Sequence, residues 1–487
     1  MAPSLKPAAF GRETANAKCG VPLPFELAMI AKLSAVIIAI ALALSGLVED
    51  GIAATRKKPR GPSLPLIRDA EIEGLLRLYC KPIFKAAGLD PSSVKVYIIR
   101  NDKINAFVAE GQRLFIHTGL LTRAKTPNEL IGVLAHETGH IAGGHLARMG
   151  IELDKASVQA IIGTLIGVAA AVGGSAAGQE GAASAGQGIM MGSQGFAQRG
   201  ILSYQRGMEA SADQAALKYL NATGQSSKGM LSLFQVLANE SIASLSDADP
   251  YLLSHPMPLE RIRNLEIAAK KSGNYEKTDS PQIVMRHKLM QAKLEGFLGS
   301  TQSVFQKYPS KDTTLPARYA RSIAMFRKGD NKNAIPLIDS LIRDLPEDPY
   351  FWELKGQALL EGGTPAKALA PLKQANKLLP NSGLIQILYA QALLATESKA
   401  NAKQALSLLT LAKRTEPDSI DVYKYSASAY AQLGDVPRAE LATAEAAMAQ
   451  GDTALAAEKA KYIVGQFKHG TPEWLKANDI LNFANKK

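Results

Sequence analysis

The spacing of apolar positions changes character several times along the chain. Leu33–Val48 (LSAVIIAIALALSGLV) is almost unbroken apolar sequence. Residues 66–88 carry Ile67, Ile72, Leu75, Leu76 and Leu78 at helical intervals, which predicts a helix. Ser92–Arg100 (SSVKVYIIR) and Arg113–Thr118 (RLFIHT) are short β-branched runs that predict strands, the second at a sheet edge. Pro127–Leu146 returns to helical spacing, with Thr126 as its cap. Residues 156–200 are rich in Gly, Ala, Ile and Gln and poor in charge. Their most apolar part, Ala160–Val172, falls short of the roughly 20 residues that cross a bilayer. A mobile lid or helical hairpin over a cleft is expected there rather than a membrane span. Residues 201–271 are again helical in spacing.

The last third of the chain repeats. Ala334, Ala368, Ala405 and Ala439 recur at intervals close to 34 residues, and Pro346, Pro380 and Pro417 follow the same spacing. Within one unit Trp352, Gly356, Leu359, Ala368, Leu372, Ala375 and Pro380 fit the tetratricopeptide (TPR) pattern. The small Ala lets the two helices of a repeat approach, and the Pro ends the second helix. Neither helix buries its apolar face alone, so the units must stack into a superhelix with a concave surface. Such arrays bind peptides or partner proteins and carry no chemistry of their own.

The 487 residues suffice for two large domains or three ordinary ones. Two cysteines, Cys19 and Cys80, exclude a disulfide scaffold and a Cys₄ zinc site. The net charge is +12. Residues 1–60 hold eight basic and four acidic side chains, so the remaining excess is thinly spread. No Lys/Arg run interleaved with aromatics points to nucleic acid. Lys32, the apolar run and the small residues Gly51–Ala54 read as a secretory signal peptide cleaved near Ala54, with Met29 as an alternative start. An uncleaved anchor is the competing reading. Cleavage leaves only Cys80, a core filler in its helix.

The chemistry concentrates in Leu134–His145 (LAHETGHIAGGH). His136 and His140 stand four residues apart on a helix, so both imidazoles lie on one face and reach a single zinc ion. Glu137 lies beside that face, where it can take a proton from a metal-activated water. A third protein ligand is needed. His145 is one candidate, although a continuous helix would turn it to the opposite face. The longer HExxHxxGxxH pattern fails, because position 146 is Leu. Glu209 is the better candidate. It stands four residues before Asp213, which can accept a hydrogen bond from a ligand histidine and fix its tautomer.

With Asn105-Ala106-Phe107, Thr118–Leu121, Glu129-Leu130 and Ser254–Arg261 (SHPMPLER), these residues resemble the zinc metallopeptidases of the HtpX/CAAX-prenyl-protease family. The leader and the repeats resemble the family's periplasmic members in Gram-negative bacteria. The resemblance implies one Zn²⁺ per chain held by His136, His140 and Glu209, with Glu137 as general base. It implies that His255 faces the metal, either stabilising the tetrahedral intermediate or closing the fourth position in a latent form. Arg261 would help hold the oxyanion. The integral-membrane members have transmembrane helices around the catalytic helix, and residues 156–200 look too short to match them. His117 is expected as a strand residue whose backbone, rather than its side chain, meets an extended substrate. His145 is expected at a helix end, and His287 and His469 at the surface.

The chain is therefore expected to be mainly α. Residues 1–54 form the signal peptide and 55–65 a linker. Residues 66–271 form a zincin-type metalloprotease domain of helices and a small sheet. Residues 272–310 form a helical connector, and 311–487 an α-helical TPR superhelix. The expected function is zinc-dependent endoproteolysis of misfolded or misassembled envelope proteins in the periplasm. The TPR array would bind substrate or the outer-membrane barrel assembly machinery, with peripheral membrane contact and no nucleic acid. The alternative is a latent protease acting mainly as a chaperone or assembly scaffold.

Overall fold

The computed structural model describes residues 65–109, 112–176, 181–243, 251 and 254–485. The expected signal peptide and most of the linker lie outside the described residues. The chain is mainly α with one small mixed sheet.

The first elements are β1 (Leu66–Ile67), α1 (Ala70–Ala86), β2 (Lys95–Ile99), β3 (Ala106–Ala109) and β4 (Arg113–His117). Asp69 caps α1, its carboxylate accepting from Ile72 N at 2.9 Å. Such a cap is worth about 1 kcal/mol. The strand order is β1-β2-β4-β3, with β2 and β4 parallel and the other pairs antiparallel. This corrects one expectation: β4 is an inner strand, and β1 and β3 are the edges. The segment AFVA of β3 is short and Ala-rich, so it does not stand out as a β-branched run. Ile98, Leu114 and Ile116 are buried in the core, and Tyr97, Phe115 and Phe107 stack across the three strands at 5.1 and 5.2 Å.

Next come α2 (Thr118–Arg123), α3 (Pro127–Ala142), α4 (His145–Ala176), α5 (Ala182–Ala222), α6 (Lys228–Ala243) and α7 (Leu259–Ala269). Thr126 caps α3 and Pro127 opens it, where its missing N–H costs nothing. The helix stops at Ala142 instead of running to Leu146. Gly143 ends it, and Gly144 takes a left-handed φ of 60° before α4 begins at His145. The helices α4 and α5 lie side by side, as in the helical hairpin expected as one alternative for this region.

The helix α8 (Pro281–Leu298) does more than connect. Its Met290 and Leu294 belong to the core around α1, the sheet and α3, while Leu289 and Ala292 belong to the core of the repeats. His287 lies on this helix and is buried, contrary to expectation. Its Nε2–H donates to Ala124 O at 2.9 Å, beside Gln291, which donates to the same oxygen. Together they bind the end of α2 to α8, and burial lowers the imidazole's pKa. His469 is exposed and Cys80 is buried.

Beyond α9 (Thr301–Lys307) the helices pair: α10 (Leu315–Arg327) with α11 (Asn331–Asp344), α12 (Pro349–Glu361) with α13 (Pro365–Leu378), and α14 (Gly383–Leu394) with α15 (Lys399–Thr415). Then follow α16 (Ile420–Leu433) with α17 (Val436–Gln450), and α18 (Thr453–Ile463) with α19 (Pro472–Asn485). Ala334, Ala368 and Ala405 are fully buried where paired helices meet, and Ala439, near the array's end, is half-buried. A buried charge cluster stitches the array to α1. Lys293 Nζ lies 2.7 Å from Asp69 Oδ2 and 3.4 Å from Glu71 Oε2, and Tyr319 OH donates to Glu71 Oε2 at 2.8 Å.

Candidate metal centre

Three elements converge on one buried point. The helix α3 supplies His136, Glu137 and His140, α5 supplies Glu209 and Asp213, and the segment before α7 supplies His255, with Arg261 in α7 itself. The close approach of α3 and α5 depends on Gly139. A Cβ there would lie 2.8 Å from Ala212 O and 2.9 Å from Ala212 Cα. One missing side chain therefore brings the two carboxylates of α5 up to the two imidazoles of α3.

His136 Nε2 stands 3.1 Å from His140 Nε2 and 3.4 Å from Glu209 Oε2. His140 Nε2 is 3.3 Å from Glu209 Oε1. His255 Nδ1 is 3.4 Å from His136 Nε2 and 3.0 Å from Glu209 Oε1. Four donor atoms, one each from His136, His140, Glu209 and His255, all lie within 4.8 Å of one another. A tetrahedron with arms of about 2.0–2.1 Å, the zinc–nitrogen length, has edges of roughly 3.3 Å. The individual contacts of 3.0–3.4 Å are close to those edges. Two imidazole nitrogens and a carboxylate also suit zinc better than magnesium or calcium, which prefer all-oxygen sets.

Around this point the remaining groups are fixed. His136 Nδ1 lies 2.9 Å from Asp213 Oδ1. Arg261 donates to both oxygens of Asp213, from Nε at 2.6 Å and Nη2 at 2.8 Å. Its Nη1 donates to Pro256 O at 2.8 Å and lies 2.9 Å from Glu209 Oε2. Asp213, Glu209 and Pro256 thus engage the guanidinium on several sides, and it clamps the outside of the cluster. Glu137 is buried, and neither of its oxygens has a hydrogen-bond partner. His255 Nε2, the nearest group, is 3.4 Å from Glu137 Oε1. A buried carboxylate without a hydrogen bond is costly, and this one lies beside the donor cluster.

Burial and pairing set the charges. Burial alone would raise Glu209, but hydrogen bonds with His136, His140 and His255 outweigh it and hold the carboxyl far below its usual range. Burial likewise opposes ionisation of Asp213, and Arg261 and His136 reverse the balance. Burial pushes Glu137 up against the pull of His255 and His136. His136 is raised to about 9, because Asp213 and Glu209 overcome its desolvation. His140 is pushed by burial down to about 4.

Two residues near the centre, His145 and Tyr251, depart from what the sequence suggests. His145 is not turned away. The break at Gly143-Gly144 folds it back, buried, with Nδ1 3.0 Å from His140 Nδ1. Rotation counted along an unbroken helix therefore misplaces it; the glycine pair was the available signal. Tyr251 packs against His255 with ring centroids 4.6 Å apart and planes tilted by 34°. Its position four residues before His255 was the only hint. His117 lies away from this group, in β4 edge-on to Phe107.

Residues 73–269 match the model of peptidase family M48, and residues 319–383 match the tetratricopeptide repeat. The chain is 26% identical over 372 residues to the beta-barrel assembly-enhancing protease of Yersinia pestis, covering 74% of this chain and 73% of that protein. It is 23% identical over 411 residues to the protein of that name in Escherichia coli strain K12, covering 82% and 77%. A shorter match, 25% identical over 186 residues, joins it to the mitochondrial metalloendopeptidase OMA1 of Schizosaccharomyces pombe, covering 38% and 50%. The chain carries an M48 peptidase domain followed by TPR repeats, is homologous to the beta-barrel assembly-enhancing proteases, and is a metalloendopeptidase.

Proposed function

We propose that this metalloendopeptidase uses one zinc ion to cleave unfolded or misassembled proteins of the bacterial envelope, in the periplasm. The observation that carries the zinc reading is the cluster of four donor atoms within 4.8 Å, with the unpartnered Glu137 carboxylate beside it. His136, His140 and Glu209 would hold the ion. Zinc in such a site polarises the scissile carbonyl and brings a bound water's pKa near neutrality.

The chain's own groups then divide the work. Glu137 takes the water's proton and passes it to the leaving amine. Asp213 holds His136 by its Nδ1, and Arg261 locks Asp213 and Glu209 in place. His145 holds His140 by its Nδ1 in the same manner. The unpaired side of β3 offers main-chain groups to an extended substrate. His255 stands at the fourth corner, an arrangement that favours a latent resting state in which this ring must swing aside before substrate enters.

The names of the relatives support a role in outer-membrane β-barrel assembly, with the TPR array binding substrate or the assembly machinery. The leader-like run Leu33–Val48 supports export. Zinc content by elemental analysis, in Pro65–Lys487 and in its Glu209→Ala variant, tests the metal reading. About one zinc per chain, lost or much weakened in the variant, is expected, together with cleavage of unfolded casein. A metal-free wild type that cleaves nothing would leave the scaffold role of the repeats. Zinc retained in full by Glu209→Ala would move the third-ligand role to His255 or His145.

A further inference from the structure

The hairpin of α4 and α5 is packed inside out for a protein in water. Its seam is made of small residues. A Cβ on Gly163 would lie 2.2 Å from Ser193 Cβ, and one on Gly186 would lie 2.3 Å from Gly167 O and 2.6 Å from Ala171 Cβ. The large apolar side chains point away from the partner helix. Val158, Ile161, Ile162, Leu165, Ile166 and Phe196 are between 51% and 70% exposed. In water a helix pair buries such side chains and leaves small or polar residues outside. Close packing through Gly and Ser with bulky aliphatics outside is the arrangement of helices in lipid.

Length and charge agree with a bilayer. His145–Ala171 is apolar and long enough to cross a membrane, and only 11% of its most apolar stretch is buried. The continuous helix thus extends well beyond the Ala160–Val172 segment that looked too short in the sequence. Residues 156–176 rise about 31 Å at 1.5 Å per residue, against roughly 30 Å of hydrocarbon. Between Ala156 and Gln198 the only charged residue in the sequence is Glu180. At the base, Arg148 on α4 and Arg199 and Arg206 on α5 are exposed and close to where anionic headgroups would be, while Lys155 pairs with Glu152 at 2.8 Å beside the exposed Asp154.

We propose that this hairpin inserts into an anionic phospholipid bilayer, with the basic residues at its base in the headgroup layer. The inference is independent of the peptidase chemistry. Pro65–Lys487 forms one compact unit and is the chain to test, free of the Leu33–Val48 run. It is mixed with vesicles of phosphatidylethanolamine and phosphatidylglycerol (3:1) and floated on a sucrose gradient. Most of the protein is expected to float and to stay bound in 0.5 M NaCl. The double variant Ile162→Lys/Leu165→Lys is expected to lose at least tenfold in vesicle binding, with circular dichroism unchanged because both side chains are exposed. As a second readout, Ile162→Cys carries an environment-sensitive fluorophore, since Cys80 is buried. Its emission should shift to the blue with vesicles and be quenched by lipids labelled in their acyl chains. Wild type left at the bottom of the gradient overturns the proposal, as does a double variant that floats equally well. Binding abolished by 0.5 M NaCl reduces it to adsorption by the basic base. A dimer that the double variant splits, with no vesicle binding, assigns the face to a second copy of the chain.

Discussion

Two buried clusters of charge lie in this molecule, and they are built on opposite plans. At the seam between α1 and the repeats, Lys293 Nζ sits among Asp69 and Glu71, so the acids surround an ammonium that the chain itself provides. At the meeting of α3, α5 and the segment before α7, three imidazoles and a carboxylate converge with their polar atoms 3.0–3.4 Å apart. The chain's cation there, Arg261, holds the outside of the group through Asp213 and Glu209. The first cluster holds the chain's cation at its centre; the second holds it at the rim. Buried charge thus marks a functional site when its donor atoms converge without a cation of the chain's own at the centre.

The largest expected effect tests what the second cluster is for. Glu137→Gln keeps the donor set and removes the base, so casein turnover should fall about 10³-fold while zinc per chain stays unchanged. Comparable loss of zinc would make Glu137 part of the metal-holding set and blur its separate role. Next, Lys293→Met strands Asp69 and Glu71 in the interior and should cost about 3 kcal/mol of unfolding free energy. Thermal melts should show that added zinc does not restore it, whereas chelator-treated wild type regains its Tm on adding zinc. Rescue of Lys293→Met by a metal ion would erase the distinction between the clusters.

His145→Ala removes the contact behind His140 and should weaken zinc binding by 10- to 100-fold, the usual range for such supporting groups. A competition titration with a chromogenic chelator reads it directly. An unchanged affinity would show that His145 only packs. His255→Ala is expected to raise turnover several-fold if the ring guards the fourth corner. A drop instead would assign it to stabilising the reaction intermediate.

The smallest effect is in the pH dependence of the first cluster. Burial raises Glu71 from about 4.5 to about 7. The folded state therefore binds protons more tightly, and that stabilisation is present below about 4.5 and lost as pH rises through 7. Urea melts at pH 5 and pH 8 should show a smaller loss on going to pH 8 in Glu71→Gln than in wild type. Equal losses would remove Glu71 from the account.

What the sequence made legible is what short spacing encodes. His136, Glu137 and His140 share a helix, Glu209 and Asp213 share another, and the structure brings both sets to one point. The repeats announced themselves through alanines that the packing buries. Features set by breaks or by distant contacts were hidden. The position of His145 depends on the left-handed Gly144, and the burial of His287 depends on Ala124, 163 residues away. The edge position of β3 depends on strand order, which its four residues do not reveal. The outward apolar face of the hairpin needs the Gly163–Ser193 seam to be known before it can be told from an ordinary core helix.

The helix α5 is one unbroken rod of 41 residues, and Glu209 rides on it. Its firmest bearing near the metal ligands is where Ala212 presses on Gly139. From that fulcrum Glu209 is about 4.5 Å away and the far end at Ala182 about 45 Å away, at 1.5 Å per residue. The rod is a lever with a reduction of roughly ten to one. A 10 Å sway at the far end displaces the carboxylate by about 1 Å, several times the ~0.2 Å tolerance of a metal–ligand bond. A displacement imposed at the far end would thereby reach the Glu209 carboxylate reduced about tenfold.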